Sequence, residues 1–192
     1  MTTPVLEIAD LAVGYDGTAV VRDFSLSVPA GAFVSLLGPS GCGKTTVLRA
    51  VAGFLPTMQG TIRLEQKDIT SLPPERRDVG IVFQNYALFP TKSAFENIAF
   101  GLRARGAPKA EIATAVARIA EAAGIADHLQ RMPANLSGGQ QQRVAIARSL
   151  VMGTRVLLFD EPLSNLDAKV RQNMRREIKR LQRNLGFTAL FV

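Results

Sequence analysis

Apolar and polar positions change their rhythm several times along the chain, and each change marks an element. Val5 to Val28 reads as short strands, with turn signals at Tyr15-Asp16-Gly17 and Pro29-Ala30-Gly31. Ala32 to Leu37 is a compact apolar strand, followed directly by a Gly-rich loop. Helical spacing runs from Lys44 to about Ala52 and is closed by Gly53. Gly60 to Glu65 and Val79 to Phe83 are strand-like, separated by the polar stretch Leu72-Pro73-Pro74-Glu75-Arg76-Arg77. Between Ala94 and Leu150 the chain is Ala-rich with helical spacing, broken near Arg105-Gly106-Ala107-Pro108 and Arg131-Met132-Pro133-Ala134. Val156 to Asp160 is a buried-type strand, Ala168 to Leu185 a long basic helix, and Phe187 to Val192 a last strand. Strands alternating with helices predict an α/β fold with a mostly parallel sheet. The strand-free middle predicts a helical lobe inserted into it.

Composition narrows this picture a little. With 192 residues, 47% of them apolar, the chain can bury one sizeable core, with room for two lobes. The formal charge of +7, from 23 Lys and Arg against 16 Asp and Glu, suits nucleic acid, phosphates or an anionic membrane face equally. One cysteine, Cys42, forms no internal disulfide and leans towards a reducing compartment. The start lacks a basic region followed by an apolar run, so no secretory signal is expected. Apolar runs are far shorter than the ~20 residues of a membrane-spanning helix, so a soluble chain is expected.

Gly38-Pro39-Ser40-Gly41-Cys42-Gly43-Lys44-Thr45 matches the G-x-x-x-x-G-K-[S/T] pattern, after a predicted strand and at the opening of a predicted helix. Glycines let successive N–H groups turn inward, and the helix N-terminus adds positive potential for an anion. In this arrangement Lys44 reaches the terminal phosphates, Thr45 ligates Mg²⁺ and Thr46 donates to an inner phosphate. Cys42 is read as a small filler of the loop.

The second candidate is Val156-Leu157-Leu158-Phe159-Asp160-Glu161-Pro162, an apolar strand delivering two carboxylates at its C-terminal end. Ligands of parallel sheets bind at that edge. Asp160 suits Mg²⁺, usually through water, and Glu161 suits orienting or deprotonating an attacking water. Together the two motifs indicate a nucleotide triphosphatase and nothing narrower.

Leu136-Ser137-Gly138-Gly139-Gln140 narrows it. Ser137 and two glycines open a helix, a second anion-binding terminus. This segment just upstream of an Asp-Glu strand resembles the defining combination of the ABC ATPase family, from about Leu6 to the last residue. The resemblance implies a P-loop NTPase (RecA-like) fold with an N-terminal antiparallel β part. It further implies a nucleotide-binding core lobe over 1–84 and 155–192 and a helical lobe over 85–154.

By the same resemblance Tyr15 is the aromatic that stacks on adenine. Gln84 links Mg²⁺ and water to the membrane partner, and Ser164-Asn165-Leu166-Asp167 is the loop that crosses to a partner cassette, with Asp167 its acid. The nucleotide is ATP, sandwiched head to tail between one copy's Lys44 loop and the other copy's Ser137, Gly138, Gly139 and Gln140. Catalysis falls to Glu161, Gln84 and Lys44, and the metal to Thr45, Gln84 and Asp160.

Leu72 to Gly80 and Gln84-Asn85-Tyr86-Ala87-Leu88-Phe89-Pro90 look like importer cassettes serving maltose, polyamines, ferric iron, sulfate or phosphonates. In that group Tyr86 to Phe95 lines a groove for integral membrane permease subunits at the cytoplasmic face of the membrane. An extracytoplasmic solute-binding protein then participates indirectly, and no nucleic-acid partner is expected. A non-transport ABC ATPase is the rival, with the basic helix Lys169 to Arg183 as its point of contact.

The family carries a catalytic histidine just after the strand matching Phe187 to Val192, whereas the one histidine here, His128, lies upstream of Ser137. Low ATPase activity is therefore expected of the 192-residue chain. A C-terminally truncated cassette is the favoured explanation, and a short, ATP-dependent binding partner the other.

Overall fold

Two four-stranded sheets organise the computed structural model, which describes residues 4–162 and 168–192, with 168–170 described by backbone alone. The first sheet is antiparallel. It holds β1 (Pro4–Tyr15), β2 (Thr18–Pro29), β4 (Thr57–Leu64) and β5 (Lys67–Asp68) in the order β2-β1-β4-β5. The second holds β3 (Phe33–Ser35), β6 (Val79–Val82), β7 (Val156–Phe159) and β8 (Thr188–Phe191) in the order β3-β8-β7-β6. Here β8 pairs in parallel with both β3 and β7.

The opening strands are longer than the short ones the sequence suggests, at 12 residues each. Bulges conceal them, because each register shift breaks the apolar alternation. Around Asp10 the pairing jumps from Ile8–Leu26 to Leu11–Phe24, and Asp10 N donates to Ser25 Oγ at 2.9 Å. On the facing strand Gly60 has φ 87°, and a Cβ there would lie 2.5 Å from Ala9 O, so the bulge needs a glycine opposite it. Asp16 (φ 50°) and Gly17 (φ 75°) close the β1–β2 hairpin with two left-handed residues, as a tight turn between right-twisted strands requires.

Among the described residues, five α-helices accompany the sheets: α1 (Lys44–Ala52), α2 (Ala94–Ala104), α3 (Lys109–Ala123), α4 (Gly138–Leu150) and α5 (Ala168–Leu185). No helix among the described residues is long and apolar enough to cross a membrane.

The chain divides into two units. The first comprises Met1–Ile81, Arg155–Asp160 and Gly186–Val192, and the second Val82–Thr154 and Glu161–Leu185. In the first, Leu6, Ile8, Leu11, Val47, Leu48, Val51, Ile62, Leu158 and Leu190 form one buried cluster. Arg77 lies beside it, only 3% exposed. Its guanidinium donates to the carbonyls of Ala50 and Val51 at the end of α1, and to those of Leu72 and Thr70. Burial lowers its pKa.

In the second unit α2, α3 and α4 pack on one another and α5 packs on α3. Thus α5, grouped with the sheet in the sequence reading, falls with the other helices. It buries Met174, Ile178 and Leu181 at helical spacing and leaves Arg175, Arg176, Lys179, Arg180 and Arg183 exposed.

Candidate functional site

The first unit carries the phosphate-binding motif in the predicted position, between β3 and α1. Gly38, Pro39, Ser40, Gly41 and Cys42 are exposed, whereas Gly43 is buried. Gly43 caps α1 with φ 92°, and a Cβ there would lie 2.2 Å from Val21 Cγ2 of β2. A side chain is excluded twice over, by conformation and by contact. The cap makes no side-chain hydrogen bond and the first turn has no acidic residue, so no side chain of the helix's own first turn offsets its positive end.

Lys44 Nζ donates to Gly38 O at 2.9 Å and Pro39 O at 2.7 Å, and lies 3.6 Å from Cys42 Sγ. Thr46 is buried, 7% exposed. Tyr15, at the tip of the β1–β2 hairpin, is 43% exposed.

Strand β7 is wholly buried and lies between β8 and β6, delivering Asp160 at its C-terminal end. Thr45 Oγ1 donates to Asp160 Oδ1 at 2.9 Å, so the loop and the strand end, 115 residues apart in sequence, meet directly. A hydroxyl and a carboxylate at this separation are hard oxygen donors of the kind that Mg²⁺ takes. Glu161 follows at once, exposed and with φ 46°. Left-handed backbone at a non-glycine residue is a feature found at functional sites.

The second unit holds the other motif. Ser137 caps α4 in a reciprocal box: Gln140 N donates to Ser137 Oγ at 3.3 Å, and Ser137 N donates to Gln140 Oε1 at 2.9 Å. Gln140 Nε2 also lies 2.9 Å from His128 Nε2, which accepts. The side chain of Gln140 is therefore committed within the unit. The amides of Gly138 and Gly139 belong to the first turn, whose N–H groups have no carbonyl one turn back. A Cβ at Gly139 would lie 3.5 Å from Glu177 Oε2. Glu177 itself pairs with Arg143 of α4.

Gln84 sits exposed in a turn after β6, and Tyr86 follows half-buried. Burial, with the charge of Glu177 added, raises the pKa of the Tyr86 hydroxyl. Asn97 is completely buried and donates to the carbonyls of Phe89, Lys92 and Ser93 while accepting from Phe89 N. Arg148 donates to the carbonyls of Tyr86 and Ala87. The motifs do not single out His128, Asn97 or Arg148, whose partners lie far off in sequence or on backbone carbonyls.

Thus Gly38 to Thr46 and Asp160 come together in one unit, while Ser137 to Gln140 gather at the start of α4 in the other. Gln84 and Glu161 belong to that second unit. Asp167, with Ser164, Asn165 and Leu166, lies outside the described residues.

The chain is 67% identical over 192 residues to an uncharacterized ABC transporter ATP-binding protein, y4fO, of Sinorhizobium fredii, covering 100% of this chain and 57% of the relative. It is 49% identical over 189 residues to the spermidine/putrescine import ATP-binding protein PotA of Vibrio cholerae, covering 98% of this chain and 50% of that protein. The chain therefore spans about half the length of the curated relatives it matches. Among solved structures, cbiO1 from Clostridium perfringens, part of the ABC transporter complex cbiONQ, superposes with a TM-score of 0.85 at 30% identity. That match covers 98% of this chain and 78% of cbiO1. The family described as ABC transporter matches residues 21–164, and this chain belongs to it.

Proposed function

We propose that this chain is the ATP-binding subunit of an ABC importer and hydrolyses ATP to drive solute movement through membrane subunits. The observation that carries the reading is the 2.9 Å hydrogen bond from Thr45 Oγ1 to Asp160 Oδ1, beside an α1 N-terminus without an acidic residue. It gathers anion-binding amides, a lysine and two hard oxygen donors within one unit. The polyamine importers among the relatives support the importer direction.

In this reading the loop amides from Gly38 to Thr46 bind the phosphates, and Lys44 exchanges its carbonyl partners for phosphate oxygens. Tyr15, exposed at its hairpin tip, stacks on the adenine. Thr45 and Asp160 would hold Mg²⁺. Bound there, Mg²⁺ neutralises phosphate charge. Glu161 orients water and accepts its proton as the water oxygen bonds to the γ-phosphorus; the bond to the β–γ bridging oxygen breaks, leaving ADP and phosphate.

The second half of the site comes from another copy. Ser137, Gly138, Gly139 and the backbone of Gln140 face the γ-phosphate held by the partner's loop, and Asp167 crosses the same boundary. Two chains in a C2 pair thereby make two identical sites. The segment Tyr86 to Phe95 receives the permease subunits, an extracytoplasmic solute-binding protein delivers the cargo, and the chain sits on the cytoplasmic face of the membrane.

Two variants test this. Glu161→Gln should bind ATP, lose turnover and accumulate as an ATP-dependent dimer. Lys44→Ala should lose ATP binding. Unchanged turnover in Glu161→Gln would remove that residue from the role of base.

A further inference from the structure

Arg148 lies in the last turn of α4, the helix whose other end carries Ser137 and Gly138. Its Nη1 donates to Ala87 O at 2.7 Å and its Nη2 to Tyr86 O at 3.0 Å. The guanidinium carbon stands 5.6 Å from the centre of the Phe89 ring, which in turn lies 4.4 Å from the Phe100 ring of α2. Arg148 is half-buried, and among the described residues its partners are these carbonyls and this ring, with no carboxylate. Withdrawing a guanidinium from water without a counter-ion is costly. Packing alone would be served as well by an uncharged side chain of similar length.

The carbonyls it holds are unusual ones. Tyr86 (φ 60°) and Ala87 (φ 46°) are consecutive non-glycine residues with left-handed backbone. Such a pair persists only where its surroundings enforce it. Arg148 supplies a planar fork that matches two successive carbonyls, a geometry that a lysine cannot reproduce. From the far side, buried Asn97 fixes Phe89 by both its N–H and its carbonyl. The turn is thus clamped between α4 and the start of α2.

We propose that Arg148 is a positioning residue that makes the Tyr86–Phe89 turn a rigid extension of α4. The inference rests on the reading that Ser137 meets ATP and that this turn receives the membrane subunits. Ser137 and Arg148 are 11 residues apart on one helix, roughly 16 Å along its axis. A shift imposed at the Ser137 end on closing over ATP then moves the turn with it, because the two hydrogen bonds leave no joint between them. The turn itself needs no contact with nucleotide to respond.

The test is amide hydrogen exchange across 84–93 and 137–143 in the Glu161→Gln chain, with and without ATP and Mg²⁺, alongside the mass in solution. On ATP binding the parent should double in mass and slow its exchange in both segments by roughly tenfold. Arg148→Met, which keeps a long apolar stem, should dimerise and slow across 137–143 while the response across 84–93 disappears. Arg148→Lys should recover part of that response, roughly threefold; it also serves should the Met variant fail to fold.

A merely local folding role would raise exchange across 84–93 in both states and leave its ATP response intact. A full parental response in either variant would overturn the proposal, as would a parent that dimerises without any change across 84–93. A parent that binds ATP but stays monomeric would overturn the sandwich reading itself, and the coupling with it.

Discussion

Lys44 donates to two carbonyls of its own loop, and a phosphate offers the same ammonium stronger, charged acceptors. Cys42 is exposed and within 3.6 Å of that ammonium. A thiol reagent attached there would fill the loop, so labelled protein should lose ATP binding; a titration of the labelled chain that still saturates would contradict this. Arg77 supports the same helix from its other end. Arg77→Met would strip the carbonyls of Ala50 and Val51 of their donor and cost about 2–4 kcal/mol. A thermal melt should show this as a drop of roughly 5–15 °C for a chain of this size. A change of a degree or less would mean that the bonds are replaceable. The residues from Gly38 to Thr45, with Asp160 and Glu161, were legible because a fixed spacing carries their chemistry. Arg77, Asn97 and Arg148 were not, since they act on backbone carbonyls, which leave no pattern in sequence.

At the scale of elements, α2 and α4 begin with the same device and differ in one respect. Ser93 with Glu96 and Ser137 with Gln140 both form reciprocal caps, but only the first contains a carboxyl. The backbone hydrogen bond from Ser93 holds the Glu96 carboxyl below its usual pKa. A depressed folded value means that the contribution is present above the ordinary carboxylate pKa, about 4.3, and is lost as pH falls through the lower folded one. As pH falls through that lower value the first turn of α2 should therefore loosen. Amide exchange at residue 96, relative to its intrinsic rate, measures this in the parent and in Glu96→Gln; a parent that loosens no more than Glu96→Gln would refute it. The helix bounds set by Gly53 and by the Ser137 cap were readable from these local signals. The lengths of β1 and β2 were not, because bulges near Asp10 and Asp23 break the alternation on which a strand is recognised.

For the whole molecule, the phosphate-binding motif and the Ser137 motif fall in different units. The alternation of strands and helices made the α/β class readable. The grouping of α5 was not, because its buried stripe of Met174, Ile178 and Leu181 fits a helix neighbour as well as a sheet. In the proposed pair the two motifs come to each ATP from different copies, and everything depends on the first of them holding ATP. The most direct measurement is equilibrium binding of ATP with Mg²⁺ to the 192-residue chain and to Lys44→Ala. The account predicts saturable binding by the parent, and a variant weakened by roughly a hundredfold, the equivalent of about 3 kcal/mol. A parent that does not bind, or a variant that binds as well as the parent, would contradict it.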